Sequence, residues 1–165
     1  MIRAQTTRLL KNVGAGLTTL WRLIMNYPTN FHFAVNWGGT NIGFTEVSGL
    51  SIELDVVPYR EGSSPESSSG LMPGHKKFSP IILKRGLRKN DHDFFAWINT
   101  AQFNTVERRD VVITLLNERH EPVVAWKLKN AFPFKLEYSP LNASHGGVVI
   151  ESLSLAHEGL TVEYL

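Results

Sequence analysis

Asp91-His92-Asp93 places two carboxylates and an imidazole side by side, a set that could hold a divalent ion or pass a proton. Adjacent residues of a helix do not converge on one ion, however. Two acids at the start of a helix complement its dipole, and that structural role fits them better. The other histidines are His32, His75, His120, His145 and His157, and no two have the HExxH spacing of a metal site on a helix. Serine, histidine and aspartate all occur, but no Gly-x-Ser-x-Gly elbow frames a nucleophile. Gly14-Ala15-Gly16 lacks the rest of a dinucleotide fingerprint, and there is no phosphate-binding P-loop. With no cysteine, there is neither a disulfide frame nor thiol chemistry. No catalytic, metal or cofactor site is expected.

The charged clusters point to contacts rather than to chemistry. Lys84-Arg85-Gly86-Leu87-Arg88-Lys89 is a basic run without interleaved aromatic residues, so specific nucleic-acid recognition is not expected. Glu107-Arg108-Arg109-Asp110 alternates in sign at a strand entry. Lys84, Arg85, Glu107, Arg108, Arg109 and Asp110 are therefore expected at the surface, as solvated or intersubunit ion pairs.

The elements that carry these residues are mostly strands. The 165 residues are 42% hydrophobic and 19% charged, the balance of one globular domain. Phe31, Phe33, Val35 and Trp37 alternate with polar positions in a half-buried strand, and "NIGFTEV" is expected to return beside it as a hairpin. "LSIELDVVPY" reads as a third strand. "SPIILKRG" is a strand, and "HDFFAWINTAQF" predicts a helix over about 91–103, capped by Asn90-Asp91. "RDVVITLLN" follows as a strand. "VVAWKLKNAFPFKLEY" reads as two strands broken near Asn130. In the last strand region the apolar phase slips between Ile150 and Leu153, which predicts a bulge or bend there. Many short strands with one helix argue for a mainly β sandwich or barrel of antiparallel sheets, with the helix packed against it.

Two segments stand outside that pattern. Residues 1–26 are basic and amphipathic, and Leu9, Leu10, Val13, Leu17, Leu20, Trp21 and Ile24 gather near one helical face. Lys11 interrupts the apolar run and no small-x-small cleavage site follows, so a helix docking on its own domain or a partner is favoured over a targeting peptide. No run of about 20 apolar residues is available to span a membrane. Gly14 and Gly16 each weaken such a helix by about 1 kcal/mol relative to alanine, so a docking surface would help it form. The second segment, "YREGSSPESSSGLMPGHKKF", interrupts the domain of residues 27–165 with a stretch at 60–78 that has little to bury. A disordered linker, a modified loop and an arm ordered by a neighbouring subunit all fit that composition.

Taken in order, "FHFAVNWGGTNIGFTEVSGL", "YREGSSPE", "MPGHKKFSPIILKRG", "NDHDFFAWINT", "VERRDVVITLLNERHEPVVAWKLKNAFPFKL" and "VVIESLSLAHEGL" resemble the tail tube proteins of contractile injection systems. That family includes contractile phage tails and phage-tail-like extracellular injection particles. The resemblance implies two antiparallel sheets with a flanking helix, in a subunit whose hexameric rings stack into a hollow tube. It implies a contractile sheath and spike or baseplate proteins as partners, effector cargo in the lumen, and no enzymatic activity. It places assembly in the bacterial cytoplasm and the product in a phage tail or a released particle.

For the residues, it implies that Tyr59, Arg60, Glu61, Ser64, Pro65, Leu71, Met72, Pro73, His75 and Lys76 belong to an intersubunit arm. Ser51, Glu53 and Asp55 become candidates to line the lumen, with Ile52, Leu54 and Val56 then expected to face the barrel core. The 26 residues before the first strand depart from the family pattern, which keeps a tube-initiating, baseplate or terminal adaptor protein as an alternative. A monomeric β-barrel holding a small ligand is the rival from another class, and a hydrolase would need a convergent site that the residues do not offer.

Overall fold

Strand β7, Pro122–Tyr138, runs for 17 residues and belongs to two sheets at once. The computed structural model describes residues 28–39, 43–60, 62, 70–103, 105–144 and 146–165. The other described elements are β1 (Phe33–Asn36), β2 (Glu46–Ser48), β3 (Ile52–Tyr59), β4 (Gly70–Phe78), β5 (Ile81–Gly86), α1 (Asp93–Ile98), β6 (Arg109–Leu116), β8 (Ile150–Ala156) and β9 (Gly159–Tyr164). The first half of β7 lies between β6 and β9, and β1 lies beyond β6. Its second half pairs with β8, followed by β5 and then β2. Every pairing is antiparallel, as expected for a mainly β chain with two sheets and one packed helix.

The corner between the sheets is at Asn130. Its φ is +52°, a left-handed conformation that asparagine tolerates better than most residues. There the register with β6 slips, Arg109 facing Ala131 while Val111 faces Leu128. The Asp110 carboxylate accepts the Asn130 N–H at 3.0 Å, and the Asn130 amide donates to Glu158 at 2.6 Å. The expected break near Asn130 is therefore a bend inside one strand rather than a gap between two.

Inward-facing residues of both sheets enclose the core. In β5 the alternation is strict, with Ile81, Leu83 and Arg85 buried. Phe94 and Trp97 of α1 close the core against Trp37, at ring separations of 5.3 and 5.4 Å. This explains why the expected hairpin of the first two strands does not form. Trp37 has no solvent exposure, and Gly39 approaches so closely that a Cβ there would lie 2.3 Å from the indole. The chain dives between the sheets at Trp37, so β1 pairs with β6 and β2 with β5.

Three other expectations are corrected. The helix is Asp93–Ile98, shorter than 91–103, because the chain turns back at Gln102 and Thr105, which exchange backbone hydrogen bonds at 2.8 Å. Strand β8 pairs with β5 residue by residue through Ile150–Leu155, with no bulge there. The apparent slip in apolar phase arises because the inward position at 151 is a buried glutamate. Finally, Gly70–Phe78 is a strand, where the composition of 60–78 predicts a segment with little to bury.

The bend at Asn130 makes the first prediction. Asn130→Gly should be nearly neutral in urea unfolding, whereas Asn130→Val should cost about 1–3 kcal/mol, since a β-branched residue is strained at that φ. Equal midpoints for the two variants would refute it.

Candidate assembly interface

Strands β3 and β4 pair with each other and with no other described strand. Residues directly opposite across an antiparallel ladder share a face. One face therefore carries Ile52, Leu54, Val56 and Pro58 from β3, opposite Phe78, Lys76, Pro73 and Leu71 from β4. Val56 is 61% exposed and Leu71 72%. The expectation that Ile52, Leu54 and Val56 face the core is thus corrected: they alternate as a buried strand would, but among the described residues no element covers them. The other face has Glu53, Asp55 and Lys77 at its base, where Lys77 and Asp55 pair at 2.7 Å, and Val57, Tyr59 and Met72 toward its tip. The Asp55 hydrogen bond and charge raise the Lys77 ammonium pKa.

The hairpin is rooted in the domain. Phe78 packs against the core, Ser51 Oγ bonds Ser79 Oγ at 2.6 Å, and the His157 ring lies 5.4 Å from Phe78 with Nε2 3.2 Å from the Ser79 carbonyl. Of the expected arm residues, Tyr59, Leu71, Met72, Pro73, His75 and Lys76 lie in this hairpin, and Arg60 is exposed just after β3. Glu61, Ser64 and Pro65 fall outside the described residues. So do Leu9, Leu10, Val13, Leu17, Leu20, Trp21 and Ile24 of the expected docking helix. Of the expected lumen residues, Ser51 is held at the hairpin base, while Glu53 and Asp55 share one hairpin face.

Six charged residues expected at subunit boundaries have partners within their own chain. Lys84 bonds Glu46 at 2.8 Å across β5 and β2. Arg109 grips Glu107 through two bonds, at 2.9 and 3.1 Å, with its guanidinium 4.7 Å from the Trp97 ring. Arg108 pairs with Glu158, and Asp110 holds the Asn130 backbone. Arg85 overturns the expectation outright. It is 1% exposed, donates to Glu151 at 2.5 Å and to Asp91 at 3.2 Å, and lies 3.8 Å over the Phe94 ring. Glu151 was not singled out from sequence; its signal was the single charge interrupting the "VVIESLSL" run.

Backbone edges remain. Among the described residues β1 and β9 border the first sheet, and β2 and the second half of β7 border the other, each paired on one side only. Such edges invite pairing with another chain. Among the same residues, no group of three or more His, Cys, Asp or Glu could hold a metal, and no helix is long and apolar enough to cross a membrane.

Among the described residues the hairpin is thus rooted at its base, with its apolar face uncovered beside open sheet edges. The family model described as T4-like virus tail tube protein gp19 matches residues 29–161. The chain belongs to that family. This member of the tail tube family is similar to a chain of the PVC extracellular contractile injection system sheath-tube complex in the extended state, with 29% identity and a TM-score of 0.78, over 85% of this chain and 93% of that one. A chain of the PVC sheath/tube terminator in the extended state is 31% identical, with a TM-score of 0.76 over 84% and 98%. A chain of the anti-feeding prophage baseplate is 26% identical, with a TM-score of 0.74 over 84% and 97%. No curated protein matches the tube-family chain.

The corner pair in this tube-family domain gives a pH prediction. Hydrogen bonds from Asn130 and then Arg108 hold the Glu158 carboxyl below its ordinary value of 4.5. A depressed folded-state pKa contributes stability above the unfolded value, and that contribution fades as pH falls through the folded value. Glu158→Gln should therefore lose less stability than the native chain between pH 7 and pH 3 in urea unfolding. An unchanged difference would exclude the corner carboxylate as a source of acid sensitivity.

Proposed function

We propose that this chain is the inner-tube subunit of a contractile injection system. Six copies form a ring, rings stack into a hollow tube, and contraction of a surrounding sheath drives the tube into a target envelope. The observation that carries this reading is the apolar face of the β3–β4 hairpin, displayed to solvent on a rooted element. A second copy covers that face, and the open edges of the two sheets join copy to copy around the axis. A heterologous contact that closes by rotation makes a ring, and axial repetition makes a filament. Glu53 and Asp55, on the opposite hairpin face, are proposed to border the channel through which effector cargo passes. The role is structural, without catalysis. Assembly takes place in the bacterial cytoplasm, and the product is a phage tail or a released particle.

The similarity to chains of terminator and baseplate structures supports a second reading, a terminal or initiating ring of the same fold. The acid-free basic segment 1–26 then docks on sheath or baseplate. A monomeric small-ligand barrel is less well supported, because Trp37, Phe94 and Trp97 fill the space between the sheets.

The test is electron microscopy of the purified protein beside Val56→Asp and Leu71→Asp. The native chain should give rings or tubes with a central channel. The variants should keep the native circular dichroism and melting temperature to within about 5 °C, since neither side chain packs in the core, and should fail to assemble. A native monomer, or charged variants that assemble normally, would overturn the proposal.

A further inference from the structure

His32, one residue before β1, and His120, in the turn between β6 and β7, bring two imidazoles together at one end of the first sheet. Their ring centroids are 4.6 Å apart and their planes are inclined by 60°. Both backbones are held in place. The His32 carbonyl accepts the Leu116 N–H at 2.8 Å, and the His120 N–H donates to the Asn117 carbonyl at 2.9 Å. The Asn117 side-chain oxygen takes the N–H groups of Arg119 and Glu121 at 2.8 and 2.9 Å, fixing the turn in which His120 has a φ of +59°. Phe31 lies against the His32 ring at 4.4 Å and limits its rotation. Among the described residues neither imidazole has a hydrogen-bond or ion-pair partner.

The spacing has a chemical meaning. A ring nitrogen binds a first-row ion at about 2.0–2.1 Å, which puts the ring centre roughly 3.2 Å from the metal. Two imidazoles in neighbouring positions of a square-planar or octahedral ion, about 90° apart, then have centres about 4.5 Å apart. A tetrahedral ion would spread them to about 5.2 Å. We propose that His32 and His120 form a two-imidazole binding site for a divalent ion of the Ni2+ or Cu2+ type. Among the described residues no third His, Cys, Asp or Glu joins them, which leaves the other coordination positions open to solvent. The bound ion ties the segment entering β1 to the β6–β7 turn.

The test is isothermal titration of the tag-free full chain with NiCl2, and separately with CuCl2, in a non-chelating buffer. One equivalent should bind per chain and raise the melting temperature, because a ligand of the folded state stabilises it. His32→Ala and His120→Ala should each weaken binding at least about tenfold, since losses even in the outer shell of a metal site cost that much. His92→Ala, at an exposed histidine without a side-chain capping bond, should leave it unchanged. Absence of binding by the native chain, or retention of full affinity in either of the first two variants, would show that the rings merely stack and would overturn the site.

Discussion

Arg85 lies with its guanidinium between the carboxylates of Glu151 and Asp91 and its flat face on Phe94, out of reach of water. Alternation along β5 and β8 puts residues 85 and 151 opposite each other on the inward side, where a leucine pair would otherwise sit. Asp91 reaches the same guanidinium from the segment before α1 and also accepts the Asp93 N–H at 3.1 Å, so one carboxylate both starts the helix and anchors it. Two strands and the helix are thereby joined at one point. Replacing such a cluster wholesale with apolar residues is often tolerated, but removing one member strands a buried charge, at about 3–5 kcal/mol. Among the described residues Arg85 Nη1 and Asp91 Oδ2 are buried without a hydrogen-bond partner, which makes the cluster more demanding than a simple pair.

With α1 anchored there, its other contacts follow. Phe94 and Trp97 are pressed against Trp37, and the Trp97 indole N–H donates to the Glu107 carbonyl at 2.9 Å. Glu107 in turn holds Arg109 at the first residue of β6, beside the corner where Asp110 and Glu158 grip Asn130. The buried cluster and the corner thus bracket the helix, one through sheet-two strands and the other through the bend of β7. The result is a rigid subunit whose strong polar contacts are internal. Among the described residues, what stays uncovered includes backbone edge and the apolar hairpin surface, the materials of strand pairing and hydrophobic burial.

Much of this order was legible in the residues, with the gaps falling where a local signal had two physical causes. "IILKRG" and "RDVVITLL" have the lengths and alternation of buried strands, and both appear as expected. The core face of the helix was readable from Phe94 and Trp97, but not its end, which depends on the reversal at Gln102–Thr105. Strand β4 was missed because "GLMPGHKKF" has the glycine, proline and lysine of a loop. It is a strand because β3 supplies its ladder, while its side chains gain little burial within the chain. The partners of β1 and β2 were beyond local pattern altogether, since they depend on where Trp37 enters the core. The apparent bulge near residue 151 was a true irregularity in hydrophobicity with an electrostatic cause.

The hairpin shows the same ambiguity at the level of assembly. Alternation of Ile52, Leu54 and Val56 with Glu53 and Asp55 reports that one face of β3 avoids water, but periodicity carries no information about whose atoms exclude it. In a monomeric domain the default answer is the chain's own core, and the core of the described residues does not supply it here. Isolated two-stranded hairpins are marginal in water, and this one is stabilised at its base by Phe78, the Ser51–Ser79 bond and the Lys77–Asp55 pair. Those contacts hold the root and leave the distal apolar residues exposed. A subunit built to complete its neighbours needs both properties together: a fixed base, so that little ordering entropy is lost on docking, and a free apolar face, so that docking is driven by burial.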